Sequence, residues 1–246
     1  MARPFLILQL RPEADASDDE YAALLDKTGL RPDQTHRIRL DCEDMPDGLD
    51  VTDYAGVIVG GGPGCVSDPP DQKDPVEARI EAQILSLMPQ ITAADHPYMG
   101  CCYGLGVLAH HLGAEVSKAR FGEPVGPVVC ETTAEGAEDP LLAGLERRFA
   151  ALVGHKEAVQ ALPEGAVLLA GSEPCPVQMI RYGRNVYATQ FHLEANGQDF
   201  ERRVGVYRNH GYFPPEEADR VIALCHSVEI TVPGEILRRF AARYGG

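Results

Sequence analysis

Apolar and polar residues alternate in blocks along this chain, and the block lengths predict its elements. "FLILQL" (Phe5 to Leu10) is an apolar run with Gln9 as its one polar residue, as in a strand buried on both faces. "SDDEYAALLDKTG" follows with a helical pattern: Ser17 and Glu20 form a capping-box signature and Gly29 a stop. "THRIRLD" (Thr35 to Asp41) alternates and reads as a second strand, and "AGVIVGGGPG" is a third apolar run broken by glycines. Asp74, Pro75 and Glu77 supply an N-cap, a first-turn proline and a first-turn carboxylate, so "DPVEARIEAQILSLM" is predicted to be a helix. "PYMG" predicts a fourth short strand. "YGLGVLAHHLG" predicts a helix with Leu105, Leu108, Ala109 and Leu112 on one face.

Strands alternating with helices predict an α/β fold of the flavodoxin-like, doubly wound kind: a mostly parallel sheet with helices on both faces. After Gly113 the pattern changes. "PVVCETT", "FAALVG", "AVLLAG", "CPVQMIRYG" and "NVYATQFH" are short strands between turns, which predict antiparallel hairpins extending the sheet or packing beside it. From Gln198 the chain reads as helical again, in "QDFERRVGVYRNHG", "PPEEADRVIALCH" and "GEILRRFAARYGG". No linker separates independent domains. The expected organisation is one unit over residues 1–197, with a helical extension over 198–246 packed on it.

Length and composition add exclusions. The 246 residues are 44% hydrophobic, enough for a sizeable core, and the net charge of −15 repels phosphate backbones and anionic membranes. Neither nucleic acid nor a membrane is an expected partner. The opening run "MARPFLILQL" is too short for a signal peptide, and seven cysteines lack framework spacing. A reducing, cytoplasmic setting with free thiols is expected.

The candidate chemistry lies in three stretches. Gly100-x-Cys102-x-Gly104 in "GCCYG" has the spacing of a nucleophile elbow, where a strand enters and a helix leaves a tight turn. Cys102 has glycine at both required offsets. Cys101 does not, because Met99 stands in the leading position, so Cys101 reads as strand packing. A cysteine at a helix start has its thiolate favoured, below the ~8.5 of a free thiol. In "NVYATQFHLE", His192 and Glu194 are two apart on an extended chain and point the same way, so Glu194 can orient an imidazole that serves the thiol; a surface histidine at a strand end is the alternative. In "VIVGGGPG", a strand ends in Gly60, Gly61, Gly62 and Pro63 with bare backbone N–H groups, one of which could join the N–H of Tyr103 in holding an oxyanion. A phosphate loop is excluded by the lack of a following lysine and Ser/Thr, and a dinucleotide fingerprint fails at Cys65.

Together and in this order, "GGGPG", "GCCYG" and "HLE" resemble class I glutamine amidotransferases, most closely the glutaminase portion of GMP synthase and its free-standing relatives. The resemblance spans roughly residues 50 to 195. It implies Cys102 as nucleophile, His192 as base, Glu194 as its orienter, and Gly62 and Tyr103 as the oxyanion hole. The implied substrate is L-glutamine or another γ-glutamyl compound, hydrolysed through a γ-glutamyl thioester with no cofactor or metal. The stretch after Glu194 is too short for an ATP-using domain, so an ammonia acceptor is expected on a separate synthetase or amidoligase. Three positions depart from the family pattern. Gly106 stands where the family carries a substrate-holding glutamine, which could open room for a larger γ-glutamyl compound and so favours a γ-glutamyl peptidase as the rival activity. Leu193 replaces a proline. "VGHKEAV" replaces a Ser-His-Gly-Asp segment, leaving His155 and Glu157 either as its counterparts or as surface polar residues. A catalytically retired binding protein is the third reading. The adjacent His110 and His111 face different ways on a helix, so shared metal ligation is not expected.

Overall fold

The computed structural model describes residues 3–209 and 212–246. In chain order its elements are β1 (Phe5–Gln9), α1 (Ala14–Thr28), β2 (Thr35–Arg39), β3 (Gly56–Val59), α2 (Pro75–Ala93), β4 (Tyr98–Cys101), α3 (Tyr103–His111), β5 (Val116–Ser117), β6 (Glu123–Thr132), α4 (Ala134–Ala137), β7 (Arg148–His155), β8 (Ala158–Val159), β9 (Ala166–Gly171), β10 (Met179–Tyr182), β11 (Val186–Thr189), α5 (Gly197–Val206), α6 (Ala218–His226) and α7 (Val232–Tyr244).

Nine strands form one sheet in the order β2-β1-β3-β4-β11-β10-β9-β6-β7. The first five run parallel, in the 2-1-3-4-5 order of flavodoxin-like folds. The other four are antiparallel, so the predicted hairpins extend the sheet; β5 and β8 pair separately. The parallel strands β1, β3, β4 and β11 are buried along their whole length because helices cover both faces. On one face Ile84, Met88 and Ile91 of α2 and Leu105 and Leu108 of α3 pack on Leu8, Val57 and Val59. On the other, Leu24 of α1 and Ile236, Leu237 and Phe240 of α7 pack on Ile7, Ile58 and Tyr187. A smaller cluster joins Phe200 and Val204 of α5 to Val221 and Cys225 of α6.

Two boundaries differ from expectation. Helix α1 begins at Ala14 with Glu13 at its N-cap, so Ser17 and Glu20 form no capping box. Both are fully buried inside the helix, where Gln9 donates to the Ser17 carbonyl at 2.7 Å and to Glu20 Oε2 at 3.0 Å. Those side-chain bonds from the end of β1 outweigh the local signal. Strand β11 ends at Thr189, and the chain then bends so that His192 pairs with Leu152 of β7. The helix read in "QDFERRVGVYRNHG" is α5 and the turn after it; its last two residues, His210 and Gly211, lie outside the described residues. Among the described residues no helix is long and apolar enough to cross a membrane.

Phe240 joins α7 to the sheet, with its ring 6.1 Å from that of Phe5 and 6.4 Å from that of Tyr187. Phe240→Ala is expected to destabilise the whole domain by about 3–5 kcal/mol in urea unfolding, as a cavity in a packed core does. A loss under about 1 kcal/mol would mean that α7 is a loosely held appendage.

Candidate active site

The site lies where ligands of open α/β sheets usually bind, at the carboxyl ends of the parallel strands. Arg11 follows β1, Gly60 to Gly62 follow β3, Cys102 follows β4, and Gln190 to Glu194 follow β11. Cys102 is the N-cap of α3 and holds φ +52° and ψ −94°, a costly backbone for a residue with a Cβ. Its N–H is pinned to the Thr189 carbonyl at 2.7 Å. The elbow closes so tightly that a Cβ at Gly100 would stand 2.7 Å from the carbonyl carbon of Gly104. This is the physical reason for glycine at that offset. Among the described residues, neither the Gly62 N–H nor the Tyr103 N–H donates a hydrogen bond. The Tyr103 side chain is turned away, with its hydroxyl donating to Glu81 at 3.0 Å.

His192 and Glu194 are both buried, and Nδ1 lies 2.9 Å from Glu194 Oε1. A carboxylate oxygen at that range demands a proton on Nδ1, which leaves Nε2 as the basic nitrogen. Among the described residues Nε2 has no hydrogen-bond partner. Arg203 of α5 donates to the same Oε1 at 2.6 Å, with its Nη1 3.0 Å from His192 Nδ1. Burial works to raise the Glu194 carboxyl, but Arg203 and then His192 outweigh it and hold it well below the usual carboxylate range. Burial lowers the His192 imidazole; Glu194 opposes this, while Arg203 and Arg11 add to it, so the ring is neutral near pH 7.

The two cysteines have different surroundings. Cys101 is buried, and its thiol donates to Glu194 Oε2 at 3.3 Å, so it does more than the strand packing expected of it. Cys102 is half-buried and faces open space on two sides. A narrow cleft lies over α3, with Tyr103, Gly106, His155 and Glu157 in its wall. A second cavity is lined by the His192 ring, Arg11 and Phe200. No hydrogen bond joins the Cys102 sulfur to the ring among the described residues; its polar neighbour is Gln190 Nε2 at 3.8 Å. Catalytic contacts are commonly loose without substrate. Burial pushes the Cys102 thiol up to about 12, with Arg11 opposing and Glu157 and Glu194 adding. Burial and the two carboxylates thus act against the lowering expected of the helix start.

His155 and Glu157 are buried in the cleft, not exposed on a loop. His155 bridges the Glu157 carbonyl and Glu123, both at 2.8 Å. Glu157 accepts from the N–H groups of Val66 and Ser67, each at 2.8 Å, and so ties down the loop that carries Gly62. A Cβ at Gly106 would lie 3.3 Å from Glu157 Oε1. The space expected to open at Gly106 is thus bordered by a carboxylate. Leu193, in place of the family's proline, is buried in the core.

Two buried groups could offer three ligand atoms to a metal: Cys101, His192 and Glu194, and Glu123, His155 and Cys175. In each, a histidine–carboxylate hydrogen bond already engages the atoms a metal would take. Arg11 and Arg203 were not among the sequence candidates. Arg203 sits in an amphipathic helix pattern where basic residues face solvent by default. Arg11 had one usable signal, its place just past the carboxyl end of an apolar strand.

Residues 32–209 match the family model for glutamine amidotransferase class-I. The chain is 32% identical over 146 residues to GMP synthase (glutamine-hydrolyzing) of Lactobacillus delbrueckii subsp. bulgaricus, covering 59% of this chain and 25% of that protein. It therefore spans about a quarter of that relative's length. It is 31% identical over 159 residues to one subunit of the glutamine-hydrolyzing GMP synthase of Thermoplasma volcanium, covering 64% of this chain and 69% of that protein. Among solved structures, a glutamine amidotransferase of Thermotoga maritima superposes with a TM-score of 0.74 at 18% identity, over 98% of this chain and 97% of its own. One from Methylobacillus flagellatus gives 0.72 at 19% identity, over 98% and 94%. The likeness in fold runs through the C-terminal helices, and the family match covers most of the chain, which belongs to the class I glutamine amidotransferases.

Proposed function

We propose that this protein hydrolyses the side-chain amide of L-glutamine, or of another γ-glutamyl compound, with Cys102, His192 and Glu194 as its triad. The observation that carries this reading is that Cys102, on a strained elbow, shares one cavity with an imidazole whose Nε2 is free and whose Nδ1 is held by a buried carboxylate. Substrate amide lies over the sulfur. His192 takes the thiol proton as the sulfur adds to the carbonyl carbon, and the free N–H groups of Gly62 and Tyr103 receive the oxyanion. The proton passes to the departing ammonia, and water then releases glutamate from the thioester. Ammonia goes to an acceptor site on a separate synthetase, a reading supported by the likeness to a GMP synthase built from more than one chain. Seven free thiols support a reducing, cytoplasmic setting. Residues 198–246 are read as a helical extension of the same unit, which the packing of α7 in the core supports.

Cys102→Ala is expected to abolish ammonia release from L-glutamine, a loss of more than about 10³-fold on removal of a covalent nucleophile. Cys101→Ala is expected to lose less than about ten-fold, since Arg203 and His192 still hold Glu194. Coupled glutamate dehydrogenase assays measure both, and equal losses in the two variants would reject the assignment. The pH dependence follows from the charge states. The reactive form needs His192 neutral, and its pKa is lowered, so kcat/KM should fall only on the acid side, with a midpoint under the ~6.5 of free imidazole. No alkaline limb from this pair is expected below about pH 9, because the thiol stays protonated until the imidazole takes its proton. An acid-limb midpoint above about 7 would contradict a neutral, buried base.

A further inference from the structure

We infer that Glu123, His155 and Cys175 form a binding site for one zinc-class divalent cation, set in the wall of the cleft and apart from the reaction proposed at Cys102. Glu123 opens β6, His155 closes β7, and the two are partners across this antiparallel pair. Cys175 lies on the connection from β9 to β10, between Pro174 and Pro176. Its neighbours Glu173, Pro174 and Pro176 are exposed while Cys175 itself is fully buried, so the thiol points inward from a surface turn. The prolines limit the backbone on both sides of it. Ser172 closes the turn, giving its N–H to the Cys175 carbonyl at 2.9 Å and accepting the Cys175 N–H on Oγ at 3.1 Å. One ligand atom from each of the three side chains lies within 4.8 Å of the other two.

The surroundings are those of metal ligands. A ligating histidine donates its other ring N–H to a carbonyl or carboxylate, and a ligating carboxylate is itself hydrogen-bonded. His155 Nδ1 donates to the Glu157 carbonyl at 2.8 Å, which turns Nε2 toward Glu123. Gln178 Nε2 donates to Glu123 Oε2 at 2.7 Å. Gln178 is fully buried, and the Oε1 of the same amide has no hydrogen-bond partner among the described residues. Leaving a buried carbonyl oxygen unpaired is costly, and a cation beside Glu123 would give it a partner. Thiolate, imidazole and carboxylate together select zinc or a similar borderline-soft ion over calcium or magnesium, which take oxygen ligands. The ion would replace the proton shared by His155 and Glu123 and the proton of the thiol, both passing to solvent. Two anionic ligands would then balance its double charge.

Charge sets the other group of three ligand atoms apart. In Cys101, His192 and Glu194, Arg203 already gives the carboxylate a fixed cation at 2.6 Å and stands 3.0 Å from His192 Nδ1. A metal ion there would be repelled. No lysine or arginine pairs with Glu123 among the described residues. Through its carbonyl His155 also holds Glu157, whose carboxylate ties down Val66 and Ser67. A bound ion would therefore fasten one wall of the cleft and stabilise the fold.

The test titrates the reduced, chelator-treated full chain with Zn²⁺, and with Co²⁺ as a coloured stand-in. We expect one tight ion per chain, a thiolate-to-cobalt charge-transfer band, and a thermal transition that rises with zinc. Cys175→Ser should lose the band and weaken zinc binding by more than about 100-fold, and Glu123→Gln should weaken it at least ten-fold, while Cys101→Ser keeps both. Thermal transitions recorded without metal show whether each variant is folded; if Cys175→Ser is not, Glu123→Gln carries the comparison with Cys101→Ser. A wild-type chain that takes up no zinc overturns the inference. So does zinc binding that Cys175→Ser and Glu123→Gln leave unchanged, or binding lost in Cys101→Ser alone, which puts the ion at Glu194. None of these readouts passes through ammonia release, so the glutaminase reading stands or falls separately.

Discussion

A carboxylate withdrawn from water must be met by opposite charge and hydrogen bonds at once, and Glu194 is the point where this chain meets that demand. One of its oxygens faces the His192 ring and the Arg203 guanidinium; the other accepts from the Cys101 thiol. Three segments therefore converge on one buried group: the end of β4, far away in the sequence, and the neighbouring stretch after β11 and helix α5. The elbow residue Cys102 is covalently joined to one of these, and the proposed base belongs to another. Whatever fixes Glu194 also fixes their relative positions. Removing one partner would leave charge uncompensated in the interior, which costs far more than a surface ion pair contributes.

The same arrangement explains why the C-terminal helices belong with the site. Arg203 comes from α5, and Phe200 of that helix stands 5.3 Å from the His192 ring in an edge contact. Tyr207, just past the helix, accepts from Arg11, so the turn after β1 and the end of α5 are joined in the wall of the second cavity. The protein carries a net charge of −15, yet two buried arginines border the proposed chemistry. Each is matched by a buried glutamate, Glu20 for Arg11 and Glu194 for Arg203. Both guanidinium groups are thus paired, and neither leaves a bare ion in the core.

On the other side of the sulfur, backbone and carboxylate work together. Glu157 reaches the loop of Val66 and Ser67 from 90 or more positions away in the chain and holds it against the cleft. Glycines allow the close approaches. A Cβ at Gly61 would sit 2.7 Å from His192 Cε1, and one at Gly106 would press on Glu157. The departures of this chain from the family pattern are thus linked: Gly106 and the glutamate of "VGHKEAV" occupy one space.

Much of this was written in local order. Apolar runs such as "FLILQL" and "AGVIVGG" mark doubly covered strands, Asp74 and Pro75 start α2 as their chemistry requires, and Gly100-x-Cys102-x-Gly104 marks the elbow, because each depends on residues a few positions apart. Ser17 and Glu20 misled for the converse reason: a capping signature is local, and partners from β1 overrode it. Arg11, Arg203 and the second role of Cys101 were not legible, since a charged or thiol side chain shows its partner only once distant segments have packed. Sequence alone determined the order of strands and helices and the identity of the candidate nucleophile. Tertiary structure decided which buried charges surround it, where its thiol titrates and on which side the cavity opens, because dielectric and volume are properties of the packed whole.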